Sequence, residues 1–153
     1  MYSIVLGVHS WNRWVLLLSL VFILIRSISG EKKGLAYKSI DHHFATILFW
    51  ALNLQFVLGF VLYIFFSPYT YALFSNFSEV MSNSSMRFFV IEHPFAMFLA
   101  VGAGHAGLRR AKQQTEDVKK HRYMIQAAAG CLFFILIGIP WPFLPYGRAL
   151  FFL

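Results

Sequence analysis

Four long apolar stretches, separated by short polar segments, constrain this chain more than any other feature. A helix needs about 20 mostly apolar residues to cross the roughly 30 Å hydrocarbon layer of a bilayer. Residues 4–25, 43–66 and 88–108 meet that length, and residues 123–139 reach its lower limit. Inside lipid a segment must satisfy its own backbone hydrogen bonds, which favours helices for runs of this kind. The expected fold is therefore all-α, a single domain of 153 residues built as an integral membrane four-helix bundle. Short connections favour antiparallel neighbours and hence up-down topology.

Composition agrees with this reading. The chain is 59% hydrophobic and 12% charged, against about 45–50% and 25% for soluble domains. Its net charge of +7 would suggest nucleic acid in a soluble protein, but the placement of the charges gives them another meaning. Ten of the 13 basic residues lie in or beside two loops: Arg26, Lys32, Lys33, Lys38, then Arg109, Arg110, Lys112, Lys119, Lys120 and Arg122. By the positive-inside rule these loops face the cytoplasm, which places both termini outside. The partner implied is the bilayer, including its anionic headgroups, and no nucleic acid is expected.

The N-terminus lacks a basic region followed by a short apolar core and a small-residue cleavage site. The first stretch is therefore expected to be a retained helix. The second should stop at Ser67-Pro68, because proline cannot continue the hydrogen-bond ladder. Between Pro68 and Met86, Tyr69, Leu73, Phe77 and Val80 recur at helical spacing, so a short interfacial helix is expected. The run from Pro140 to Phe143 closes the last span, and Trp141 and Tyr146 suit the aromatic belt of a membrane interface.

Several chemistries are absent from the sequence. It has no HExxH, no glycine-rich phosphate loop and no GxSxG turn. The only cysteine, Cys131, allows no intrachain disulfide and reads as a small apolar core residue.

Histidines carry the chemistry that remains. Ionisable groups within hydrocarbon are costly and mark functional sites by default. His9 opens the first span, His43 the second, and His93 and His105 lie near the two ends of the third. Antiparallel topology puts His9 and His93 at one outer level and His43 and His105 at one inner level. His93 and His105 are about 18 Å apart along the helix, at 1.5 Å per residue. Imidazole is a standard axial ligand for haem iron, and helix bundles build such sites on facing helices. The twelve-residue spacing sets the two rings roughly 120° apart around the helix, which disfavours two haems in one groove.

Other polar groups fall near these levels. Arg13 shares a helical face with His9 and Asn12 and should face the bundle interior, with Glu92 as its expected ion-pair partner. It could also hold a haem propionate or a quinone carbonyl. His9, Glu92 and His93 could alternatively form a metal site. Met97 is a further candidate axial ligand, although buried methionine more often fills core space. Asn53 and Gln55 are expected to bond across helices, and His42 and His121 to sit wet at the inner rim. Ala96, Ala100, Gly104 and Gly107 form a small-residue face on the third span that suits close helix packing or a flat macrocycle.

His9-Ser10-Trp11, Glu92-His93-Pro94 and the run from Gly104-His105 to Arg110 resemble small four-span bacterial membrane proteins of the cytochrome b type. Their plan is similar to that of b561-type cytochromes. The resemblance implies one or two b-type haems, electron exchange with a quinone or a partner redox protein, and location in the bacterial inner membrane. It makes His9, His43, His93 and His105 the candidate iron ligands. Two other readings stay open: a haem-free accessory subunit of a larger membrane complex, and an oligomeric ion or proton pathway using Arg13, Glu92 and the histidines. Small interiors favour partners, either other membrane subunits or further copies of the chain.

Overall fold

In the computed structural model, residues 1–150 are described, and they form an all-helical protein. Four helical segments are long and apolar enough to cross a membrane. The first is α1 (Tyr2–Lys33). The second is α2 (Ser39–Val61), which continues through a π-helical segment, Leu62–Phe66. Three short helices follow, α3 (Pro68–Ser75), α4 (Phe77–Ser82) and α5 (Ser84–Arg87). A second π segment, Phe88–Glu92, leads from α5 into α6 (His93–Lys112), and α7 (Asp117–Gly138) completes the bundle.

Local chemistry sets the ends. Gly34 closes α1 in the left-handed conformation at φ 62, and its N–H and that of Leu35 both reach the Gly30 carbonyl. Asp41 accepts a hydrogen bond from the Lys38 N–H at 2.7 Å and puts a negative charge at the positive end of α2. The same carboxylate, 5% exposed as a residue, is gripped by both Nε and Nη2 of Arg26, tying α1 to α2 at the inner end. The expected interfacial helix is broken into α3 and α4 at Asn76, whose side chain caps the second piece by accepting from the Glu79 N–H.

The spans pack in the cyclic order α1, α2, α6, α7. The small-residue face of α6 is used for helix packing: Ala96, Ala100, Gly104 and Gly107 are all buried. A Cβ on Gly107 would lie 2.3 Å from the Ala127 Cβ, so α6 and α7 meet nearly backbone to backbone. Leu16, Leu20, Leu48, Leu52, Met124 and Cys131 fill the centre, and large hydrophobics such as Leu18, Trp50, Phe60 and Phe133 face outward. A soluble protein would not leave so much apolar surface exposed; for a multi-pass membrane protein it is the lipid-facing wall.

Proline accounts for free carbonyls beside the second π segment and at the outer end. Pro94 cannot donate to the carbonyl four residues back, that of Val90, and the Tyr63 hydroxyl donates to it instead at 3.1 Å. Tyr63 lies in the other π segment, so the two irregular stretches are joined to each other. After α7, Pro140 denies the Leu136 carbonyl a donor, and Ile139 before it is extended at ψ 129, which ends the helix and leaves the Gly138 carbonyl free. The Trp141 indole takes the first at 2.8 Å, and a histidine takes the second.

Candidate functional site

That histidine is His93. Its Nδ1 donates to the Gly138 carbonyl at 2.6 Å, which leaves Nε2 with its lone pair. A backbone carbonyl on one ring nitrogen is the usual way to orient an imidazole whose other nitrogen binds a ligand. His9 stands opposite on α1, with ring centroids 6.4 Å apart and planes at 66°. The outer-level pair expected from topology is therefore formed.

A polar chain holds His9. The Ala51 carbonyl can only accept, so Asn12 must present its amide nitrogen there, at 2.8 Å. The same nitrogen donates to Gln55 Oε1 at 2.8 Å, and Gln55 Nε2 then faces His9 Nε2 at 3.1 Å. His9 Nε2 thus accepts, and its proton sits on Nδ1, which is buried without a partner. Gln55 acts across helices as expected and also fixes a tautomer.

Both rings line a cavity of about 1030 Å³, at the upper end of the range for small-molecule and cofactor sites. Its walls are mostly apolar and aromatic, with Phe56, Phe60, Phe89 and Phe98 among them. Two cations also line it, Arg13 and Arg148, and no carboxylate does so among the described residues. Arg148 was not singled out from the sequence. It arrives because the segment after α7 folds back over the outer end: the Arg148 N–H bonds the Pro140 carbonyl, Tyr146 stacks on Phe88 at 3.9 Å, and the Arg148 guanidinium lies 4.3 Å from the Phe89 ring centre. The basic residue beyond a Pro-Trp-Pro run was the only sequence signal.

Compared with protein-family models, curated proteins and solved structures, the chain has no match.

Other expectations need correction. Arg13 faces the interior but does not pair with Glu92. Its Nη2 donates to the Leu150 carbonyl, and its Nε is buried without a partner. Glu92 is exposed and pairs instead with Arg87, five residues before it across the π segment, at 2.7 Å. The acid that a metal cluster or a proton relay needed at this level is thereby removed, and among the described residues no group of three or more His, Cys, Asp and Glu side chains could hold a metal ion.

The inner pair is not formed either. His43 is exposed at the start of α2, held by the Ser39 carbonyl at 2.7 Å. His105 instead faces Asn53 at 3.3 Å and stacks on Phe49. Asn53 lies ten residues beyond His43, about 15 Å along the helix. His42 is exposed as expected, but His121 is not wet. It is 0% exposed between α1 and α7, with both ring nitrogens unpartnered, because Gly30 leaves room for its ring.

Proposed function

We propose that the outer cavity binds one b-type haem and that the protein is a membrane electron-transfer subunit. The carrying observation is the His9–His93 pair across a large apolar cavity. Two metal–nitrogen bonds of about 2 Å, with half a ring at each end, span roughly 6 Å, close to the 6.4 Å between the ring centres. His93, with its Nδ1 held by the Gly138 carbonyl, would offer Nε2 to the iron. His9 would be the second ligand once its Nε2 lone pair is released by Gln55. Arg13 and Arg148 would neutralise the two carboxylates of a haem, and the aromatic walls would exclude water. When bound, haem supplies one-electron chemistry, with quinone or a partner subunit exchanging the electron. The bacterial inner membrane is the location this reading carries.

A second reading draws on the same cavity. Gln55 already engages His9 Nε2, and Arg13 Nε lacks a partner. A quinone or an anionic lipid would meet those groups through oxygen atoms, making the chain a haem-free accessory subunit. A reduced-minus-oxidised visible spectrum of the purified full chain separates the two. The haem reading expects a b-type difference spectrum that is lost in His93→Ala and retained in His43→Ala. Well-folded protein made with ample haem and showing no such spectrum would refute it in favour of the second.

A further inference from the structure

A second cavity, of about 330 Å³, opens between the inner ends of α2, α6 and α7. Its polar lining comes from Tyr37, His42, Thr46, Trp50, Lys112 and Lys120, and its apolar lining includes Ala45, Leu108 and Met124. No carboxylate lines it among the described residues. The inner-side acids are already engaged: Glu31 with Arg122, Asp41 with Arg26, Glu116 with Lys119 and Asp117 with Lys120. Lys112 enters no ion pair among the described residues, and its ammonium sits 6.0 Å from the centre of the Phe49 ring, which also lines the cavity. Lys112 therefore gives the cavity one uncompensated positive charge, Lys120 being paired with Asp117.

The charge is also polarised by depth. Lys112 ends α6, Lys120 lies in the first turns of α7, and His42 lies in the first turn of α2, so all three stand at the inner rim. Leu108 and Trp50 lie one and two turns deeper toward the bilayer centre. Burial and the neighbouring Asp41 carboxylate push the Tyr37 hydroxyl up to about 12, which keeps it protonated. Cationic donors at the water edge above an apolar, tryptophan-flanked slot match an amphiphile with an anionic head.

From this arrangement we infer that the inner cavity is a binding site for the phosphate headgroup of an anionic phospholipid, with Lys112 as its main counter-charge and Lys120 assisting. Basic pockets between helices on the cytoplasmic side recognise such headgroups, and one lysine near the membrane surface is worth about fivefold in affinity. This site is separate from the outer cavity and stands whether or not haem is bound there.

Native mass spectrometry of the full chain in detergent tests the inference, with phosphatidylglycerol, phosphatidylcholine and inorganic phosphate as probes. One phosphatidylglycerol should be retained about fivefold or more over phosphatidylcholine. Lys112→Gln should abolish that preference, Lys112→Arg should keep it, and Lys119→Gln, outside the cavity, should leave it intact. Equal retention of the two lipids by the unaltered chain would overturn the inference, as would an equal loss in Lys119→Gln. Displacement of phosphatidylglycerol by millimolar inorganic phosphate would assign the site to free phosphate and overturn the lipid assignment.

Discussion

Gly30→Ala should destabilise the protein through a single contact. A Cβ at this position would lie 2.4 Å from His121 Nε2 and 2.5 Å from both adjoining ring carbons. Carbon atoms pack best at about 3.5–4.0 Å, so the ring would have to retreat by about 1 Å. His121 has no room to do so, being fully buried between α1 and α7. Overpacking of this kind costs about 1–3 kcal/mol, which corresponds to a fall in Tm of about 2–12 °C for a chain of this size. His121→Ala alone should cost little, because the cavity it leaves is offset by removal of two buried nitrogens that lack partners. In Gly30→Ala/His121→Ala the clash disappears, and stability should return to about that of His121→Ala. Reversible unfolding of the four proteins in detergent gives the coupling energy, expected at about 1–3 kcal/mol. Strict additivity, or an unchanged Tm in Gly30→Ala, would refute the assigned packing.

Further outcomes follow from other contacts. Asp41→Ala should cost about 3 kcal/mol in the same unfolding assay, because it strands Arg26 at a partly buried position and removes the acid from the start of α2. Asn12→Leu should cost about 1 kcal/mol by leaving Gln55 Oε1 without its donor, and it should loosen the hold on His9, read as altered ligand binding in the outer cavity. Gly107→Leu should prevent folding, seen as aggregation on extraction, since α6 and α7 cannot separate without opening the bundle. Cys131 is fully buried, and a maleimide should label it only after denaturation.

The sequence by itself determined the membrane class, the four spans, the clustering of basic loops at one end and the common level of His9 and His93. Each of these depends on hydropathy summed along a segment or on which end of a span a residue occupies, and antiparallel topology supplies that without knowledge of how each helix is rotated. Only the tertiary structure decided what depends on rotation, on the axial offset between helices and on irregular backbone. His43 and His105 were assigned a common level, yet His105 turns to Asn53, well along α2. Across the π segment before Pro94 Glu92 pairs with Arg87 and not with Arg13, and hydropathy carries no trace of that irregular backbone. Arg148 enters the outer cavity through a fold-back of non-helical chain that no periodicity marks. The burial of His121 depends on a missing side chain on another helix, at Gly30. A local pattern sets which end of a span a residue occupies; the packing of neighbouring helices sets the level it meets on its neighbour and which way it faces.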